Sequence, residues 1–245
     1  ANYDFQFSNN LNKLSLKNKR VGLLSSGSED SEGSKLLAKA TTTLRKLGAK
    51  VMPIIENKEY PGEEELFVLL FEFREGINNY LKKSDSDVEN LHQIIEFNKQ
   101  NSDVVMKYFG QEIFIESTET VGQKEKYMRS IELTTTESRK YIDSLLDEHS
   151  LDVLVGLTQG PAWLINYNGG DNKAIEDQRF WGTGGFAAMA GYPHVTIPFD
   201  LVDGLPVGIS FISTAWSDKT LIEMAYALEQ ENDFNSLYQA PGASD

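Results

Sequence analysis

The chain has 245 residues, 40% of them apolar, with 37 acidic against 23 basic side chains and a net charge of -14. A chain of this length buries a sizeable core, and its acidic excess excludes nucleic acid as an expected partner, because phosphate binding needs a basic footprint. The absence of cysteine removes disulfides, thiol nucleophiles and thiolate metal sites and fits a cytoplasmic setting, and no apolar run approaches the roughly 18 residues of a membrane helix.

Residues 1–19 are polar, weakly patterned and without a signal-peptide pattern, and read as a lead-in segment. Arg20 to Ser26 is a short apolar run that predicts a buried strand. From Lys35 to Leu47 the apolar residues Leu36, Leu37, Ala40, Leu44 and Leu47 follow helical spacing, with Gly48 as a stop. Val51 to Ile55 predicts a second strand, parallel to the first through a right-handed crossover. Next, Leu66, Leu69, Leu70, Phe73, Ile77, Tyr80 and Leu81 form one apolar stripe. Asp87 is the expected cap of a helix holding Val88, Leu91, Ile94 and Ile95. A long helix is expected from about Lys124 to His149, burying Tyr127, Ile131, Tyr141, Leu145 and Leu146. Leu151 to Leu157 predicts another buried strand, and residues 164–180 read as a surface loop. A short helix, Phe186 to Ala190, is stopped by Gly191. Then two strands flank Asp203-Gly204, a strong hairpin signal. A last helix starts near Asp218 with Leu221, Met224, Ala225 and Leu228 facing inward, and residues 235–245 read as a disordered tail. With no repeat and no clear linker, the pattern predicts a single α/β domain over residues 1–245. Its sheet is expected to be mixed, mostly parallel and covered by helices.

Residue chemistry points away from most catalytic classes. The loop Gly27 to Ser34 is rich in Gly and Ser, but lacks both phosphate-loop patterns, and its acids suit helix capping better. His92, His149 and His194 show no metal-ligand spacing, and no strained Ser elbow of the G-x-S-x-G type occurs. No metal site and no cofactor are expected. Thr158, Gln159, Gly160, Pro161 and Trp163 follow a buried strand, where ligands of open α/β sheets collect. Trp181, Thr183 and Gly184 form a similar polar and aromatic group. The pattern leaves two readings open: a substrate wall, or loops held by buried Trp and Pro side chains.

Four segments carry a resemblance. They are L-K-N-K-R-V-G-L-L from Leu16, the helix from Glu65 to Leu81, L-D-V-L-V-G-L-T-Q-G-P-A-W from Leu151, and the hairpin G-Y-P-H-V-T-I-P with G-L-P-V-G-I-S-F. In this order and spacing they resemble the C-terminal half of an amidase signature enzyme, over roughly Leu16 to Gln230. The resemblance implies an amide hydrolase whose Ser nucleophile, second Ser and Lys precede the matched region. No residue of this chain takes a catalytic role by that resemblance. It implies that Thr158, Gln159, Trp163, Trp181 and Thr183 bind substrate, a small amide. It also implies a partner, either the N-terminal half of the same protein or a second chain, covering apolar surface that this half leaves open. The alternative is a non-catalytic small-molecule-binding or interaction module on the same fold.

Overall fold

A computed structural model of the chain describes residues 6–9, 11–232 and 234; the tail expected at 235–245 lies outside them. In chain order the elements begin with β1 (Arg20–Ser25), α1 (Ser31–Lys46), β2 (Lys50–Ile55), α2 (Gly62–Leu81) and α3 (Leu91–Gln100). They continue with α4 (Ser102–Val105), α5 (Glu112–Glu119), α6 (Lys124–Glu148), β3 (Val153–Leu157) and α7 (Asp171–Ala174). The last are α8 (Gly185–Ala190), β4 (His194–Val202), β5 (Leu205–Ile212) and α9 (Asp218–Glu231). These residues fall into two compact units. Of the described residues, the first holds those from 6 to 59, 137 to 162 and 178 to 234, the second those from 60 to 136 and 163 to 177.

The first unit contains the sheet, in the order β2-β1-β3-β5-β4. β2, β1 and β3 pair in parallel, and β5 is antiparallel to both β3 and β4. All strands but β5 therefore run one way, the mixed and mostly parallel sheet expected. Pro53, which cannot donate to a ladder, sits in β2 at the sheet edge.

Alternation along the strands gives the sheet two distinct faces. Val21, Leu23, Val153, Val155, Leu157, Val207, Ile209 and Phe211 join one core with Leu36, Ala40 and Leu44 of α1 and Leu221, Met224, Ala225 and Leu228 of α9. Leu24, Leu154 and Ile212 join the other, with Ile142 and Leu146 of α6 and Phe186, Ala187 and Ala190 of α8. No helix or strand precedes Arg20 among the described residues, yet Leu16 is fully buried in the first core.

Helix ends follow local chemistry. α1 begins at Ser31, four residues ahead of the expected start, because the Asp30 carboxylate accepts the backbone N–H groups of Glu32 and Gly33 at 2.9 and 3.1 Å. α8 ends on Gly191 at φ 66°, the left-handed cap its glycine suits. The hairpin turn places Asp203 at φ 54° and Gly204 at φ 79°, both left-handed as a type I′ turn requires.

In the second unit three expectations change. Asp87 does not cap α3; Asn90 does, its side chain accepting from the Gln93 N–H at 3.1 Å, so Val88 stays outside the helix. The buried face of α2 is Phe67, Leu70 and Arg74, while Leu66, Leu69, Phe73 and Tyr80 are exposed. The helix is turned by one position from its most apolar stripe, since Arg74 is drawn inward to Thr120 Oγ1 at 2.8 Å. The loop at 164–180 contains the single-turn helix α7. Among the described residues no helix is long and apolar enough to cross a membrane.

Candidate functional site

The second face of the sheet changes character toward the end of β3. Where β1 and the start of β3 offer Leu24 and Leu154, the next positions across β3, β5 and β4 are Gly156, Ser210 and Thr196, in direct register. Two glycines keep this patch low. A Cβ on Gly156 would lie 2.4 Å from Thr183 Oγ1, and one on Gly208 would lie 2.9 Å from Thr158 Oγ1. Small residues in the strands thus leave room for hydroxyls above them.

Thr158 continues β3 by one bond, its N–H donating to Gly208 O at 2.9 Å. Its hydroxyl lies 2.7 Å from Ser210 Oγ. Ser210 is fully buried, and also lies 2.6 Å from His194 Nε2 and 3.2 Å from Thr196 Oγ1. His194 remains open to solvent on one side, yet burial of its ring lowers its pKa from 6.5. Thr183, buried over Gly156, donates to Leu157 O at a long 3.4 Å. Gln159 is half-buried and its Oε1 accepts the Gly160 N–H at 3.1 Å.

The residues expected to bind substrate therefore have distinct positions. Thr158, Gln159 and Thr183 gather around the end of β3. Trp181 belongs to the same unit but is 1% exposed in the α1-side core, where a Cβ on Gly33 would meet it at 3.0 Å. Trp163 belongs to the second unit, where its indole N–H donates to Ala174 O at 2.8 Å and ties down α7.

Beyond the carboxyl ends of β1 and β2 lies a second polar group. Glu29 accepts from Ser25 Oγ at 2.7 Å, from the Ser26 N–H at 2.7 Å and from the Gly27 N–H at 3.1 Å. Burial opposes its ionisation, but the hydrogen bonds from Ser25 and Ser26 prevail and its pKa falls below 4.5. Glu56 shows the opposite outcome. Burial, then the nearby charge of Glu29, push it up to about 7 against a hydrogen bond from Tyr141. One carboxyl of the pair is held ionised at neutrality, while the other titrates there. Ser26 and Ser28 hydroxyls reach Phe180 O at 3.4 and 2.7 Å, joining this loop to the one carrying Trp181 and Thr183.

Sequence reasoning missed His194, Ser210, Glu29 and Glu56 as neighbours of the site. The histidine and serine lie 2.6 Å apart, a distance typical of a nucleophile and its base. Ser210 is a strand residue with no exposed surface, so it presents no hydroxyl for attack. The arrangement suits recognition: hydroxyl and amide groups that accept from and donate to a polar ligand. Among the described residues no cluster of His, Asp and Glu is able to hold a metal ion.

Comparison with known proteins supplies the family context. A sequence model of the amidase family matches residues 3–222. A probable amidase from Arabidopsis thaliana is 31% identical over 227 residues, covering 88% of this chain and 38% of the relative. The crystal structure of native peptide amidase from Stenotrophomonas maltophilia superposes with a TM-score of 0.86 at 33% identity, covering 100% of this chain and 49% of that one. An amidase family protein from Bacillus anthracis follows at a TM-score of 0.74 and 26% identity, covering 94% of this chain and 42% of that one. The chain spans about half the length of the relatives it matches.

Proposed function

The chain belongs to the amidase family, and from that membership we propose that it is the C-terminal portion of an amidohydrolase. The complete protein hydrolyses a small carboxamide to a carboxylate and ammonia or an amine. This chain contributes one wall of the substrate pocket, formed by Thr158, Gln159 and Thr183, with Trp181 buried in the α1-side core of the same unit. Trp163, the remaining residue expected to bind substrate, belongs to the second unit.

The observation that supports this most is the polar patch at the end of β3, where Gly156 and Gly208 make room for Thr158 and Thr183 on an otherwise apolar sheet face. Hydroxyls on a sheet face cost free energy unless bonded; here they bond one another, and Thr158 and Gln159, only half-buried, keep bonding capacity for a ligand. Gln159 and Thr158 have the donor and acceptor groups to read both ends of a carboxamide. The Ser–Ser–Lys machinery of the family comes, in this reading, from the N-terminal half or from a second chain. Peptide amides are the first substrates to try, because the similar crystal structure is that of a peptide amidase.

The test is substitution in the complete protein. Gln159→Ala lowers kcat/KM for a small amide by roughly ten- to a hundred-fold, about 1.4–2.8 kcal/mol of transition-state binding. A complete enzyme indifferent to Gln159→Ala and to Thr158→Val would remove the pocket assignment. A complete protein that binds amides without hydrolysing them would instead favour a binding module.

A further inference from the structure

Resting on the reading of Thr158 as a substrate-facing group, we propose that His194 sets the hydrogen-bond polarity of Thr158 through Ser210. Thr158 is an acceptor for a substrate N–H while His194 is neutral, and becomes a donor when His194 takes up a proton.

The polarity follows from a count of protons. Ser210 Oγ has three neighbours within hydrogen-bond range: His194 Nε2 at 2.6 Å, Thr158 Oγ1 at 2.7 Å and Thr196 Oγ1 at 3.2 Å. A serine hydroxyl donates once and accepts twice. With three partners, it donates to one and must accept from the other two. If neutral His194 carries its proton on Nδ1, Nε2 is an acceptor and takes the Ser210 proton. Thr158 then donates to Ser210, and so does Thr196, whose contact with His194 Nε2 is the longer of its two at 3.4 Å. Thr158 has spent its one proton, so only its lone pairs are left for a ligand. An amide N–H suits that face, and a carbonyl oxygen does not.

Protonation of His194 reverses the chain. Nε2 becomes a donor to Ser210, and the Ser210 proton turns to the closer of the two threonines, Thr158. Thr158 then accepts from within and directs its own proton outward. No heavy atom has to move. Ser210 is fully buried, so its three bonds stay within the cluster in both states.

The surroundings leave His194 free to act as the titrating member. Its pKa is lowered by burial alone. Facing it are Ser210 and Ile212 of β5, Thr196 of β4 and Gly184, where a Cβ would lie 2.5 Å from His194 Cε1. None of these titrates. On α6, Asp143 accepts from the Tyr192 hydroxyl at 2.9 Å and Arg139 Nε donates to Ala190 O at 2.8 Å, so both charged groups are engaged elsewhere. The relay is therefore in its acceptor state at neutral pH and reverses on acidification, with the lowered pKa favouring the neutral ring.

Two measurements test the proposal. The chain contains three histidines, so nitrogen-15 imidazole spectra with His92→Gln and His149→Gln assign His194 directly. At pH 7.5 its Nε2 should be unprotonated and its Nδ1 protonated, and Ser210→Ala should shift that tautomer balance. An Nε2–H tautomer at pH 7.5, or no response to Ser210→Ala, overturns the relay. In the complete enzyme, KM for a primary amide should rise about five-fold, the worth of one hydrogen bond, between pH 7.5 and pH 5. KM for the ester of the same acid, which has no N–H, should not rise, and His194→Gln should flatten the amide profile. Equal pH limbs for amide and ester, or a limb that survives His194→Gln, also overturn it. Absence of any amide turnover would instead sink the hydrolase reading, and the spectra would still decide the relay.

Discussion

Glu56 lies one residue beyond β2, with a carboxyl that the fold keeps protonated to about pH 7. The sign of the linkage follows. Below an unfolded value near 4.5 both states hold the proton, and nothing is lost. Between 4.5 and about 7 the folded state retains a proton that the unfolded state has released, so stability falls as pH rises. Above that window the loss levels off, at about 3 kcal/mol. Glu56→Gln should therefore melt level with the parent near pH 4.5 and clearly above it at pH 8, by calorimetry or circular dichroism. A constant difference across that range would rule out ionisation of Glu56 as the cause. Glu29, with its pKa lowered, contributes in the opposite sense: its share is present at neutral pH and lost as pH falls below its ordinary range. Neither role was legible in the sequence. Glu29 reads there as one of several acids near a helix start, and its bonds to Ser25, Ser26 and Gly27 depend on how the loop folds back. Asp30 was legible, as one of the acids suited to capping α1.

At the scale of elements, strands and helices with a local cause were readable and faces with a distant cause were not. The hairpin came from Asp203-Gly204, and the α8 stop from Gly191. The pairing within the hairpin did not follow. Counting back from the turn places Ile197 opposite Ser210, but an irregularity between Pro198 and Asp200 shifts the register and brings Thr196 there instead. That one-residue shift assembles the hydroxyl cluster, and no feature of the sequence announces it. The buried face of α2 was misplaced for a similar reason, since the arginine at position 74 turns inward to Thr120. Glycines offer a paired test of packing. Gly156→Ala must displace Thr183, whose Oγ1 would be 2.4 Å from the new Cβ, and should cost about 1–3 kcal/mol in denaturant unfolding. Gly76→Ala, within α2 and with nothing inside 4 Å, should stabilise by about 0.5–1 kcal/mol. Equal effects at the two sites would show that the space around Gly156 is not what restricts it.

For the whole molecule, the family was legible because the matching motifs lie in short contiguous strands and turns, whose residue pattern is readable in one chain. Of the residues proposed to bind substrate, Thr158, Gln159 and Thr183 sit around the end of β3, Trp181 packs into the core of the same unit, and Trp163 belongs to the second unit. Periodicity alone does not separate an indole that walls a ligand from one that fills a core. The exposed apolar side chains of α2, Leu66 and Leu69 among them, fit a chain spanning about half the length of its relatives. In the proposed division of labour, this half recognises an amide and does not itself attack it. Ammonia release from a small peptide amide decides the point, run in parallel on the purified 245-residue chain and on the complete protein. Steady turnover is expected from the complete protein and none from the chain alone. Steady hydrolysis by the chain alone, abolished by a single substitution within it, would contradict that division.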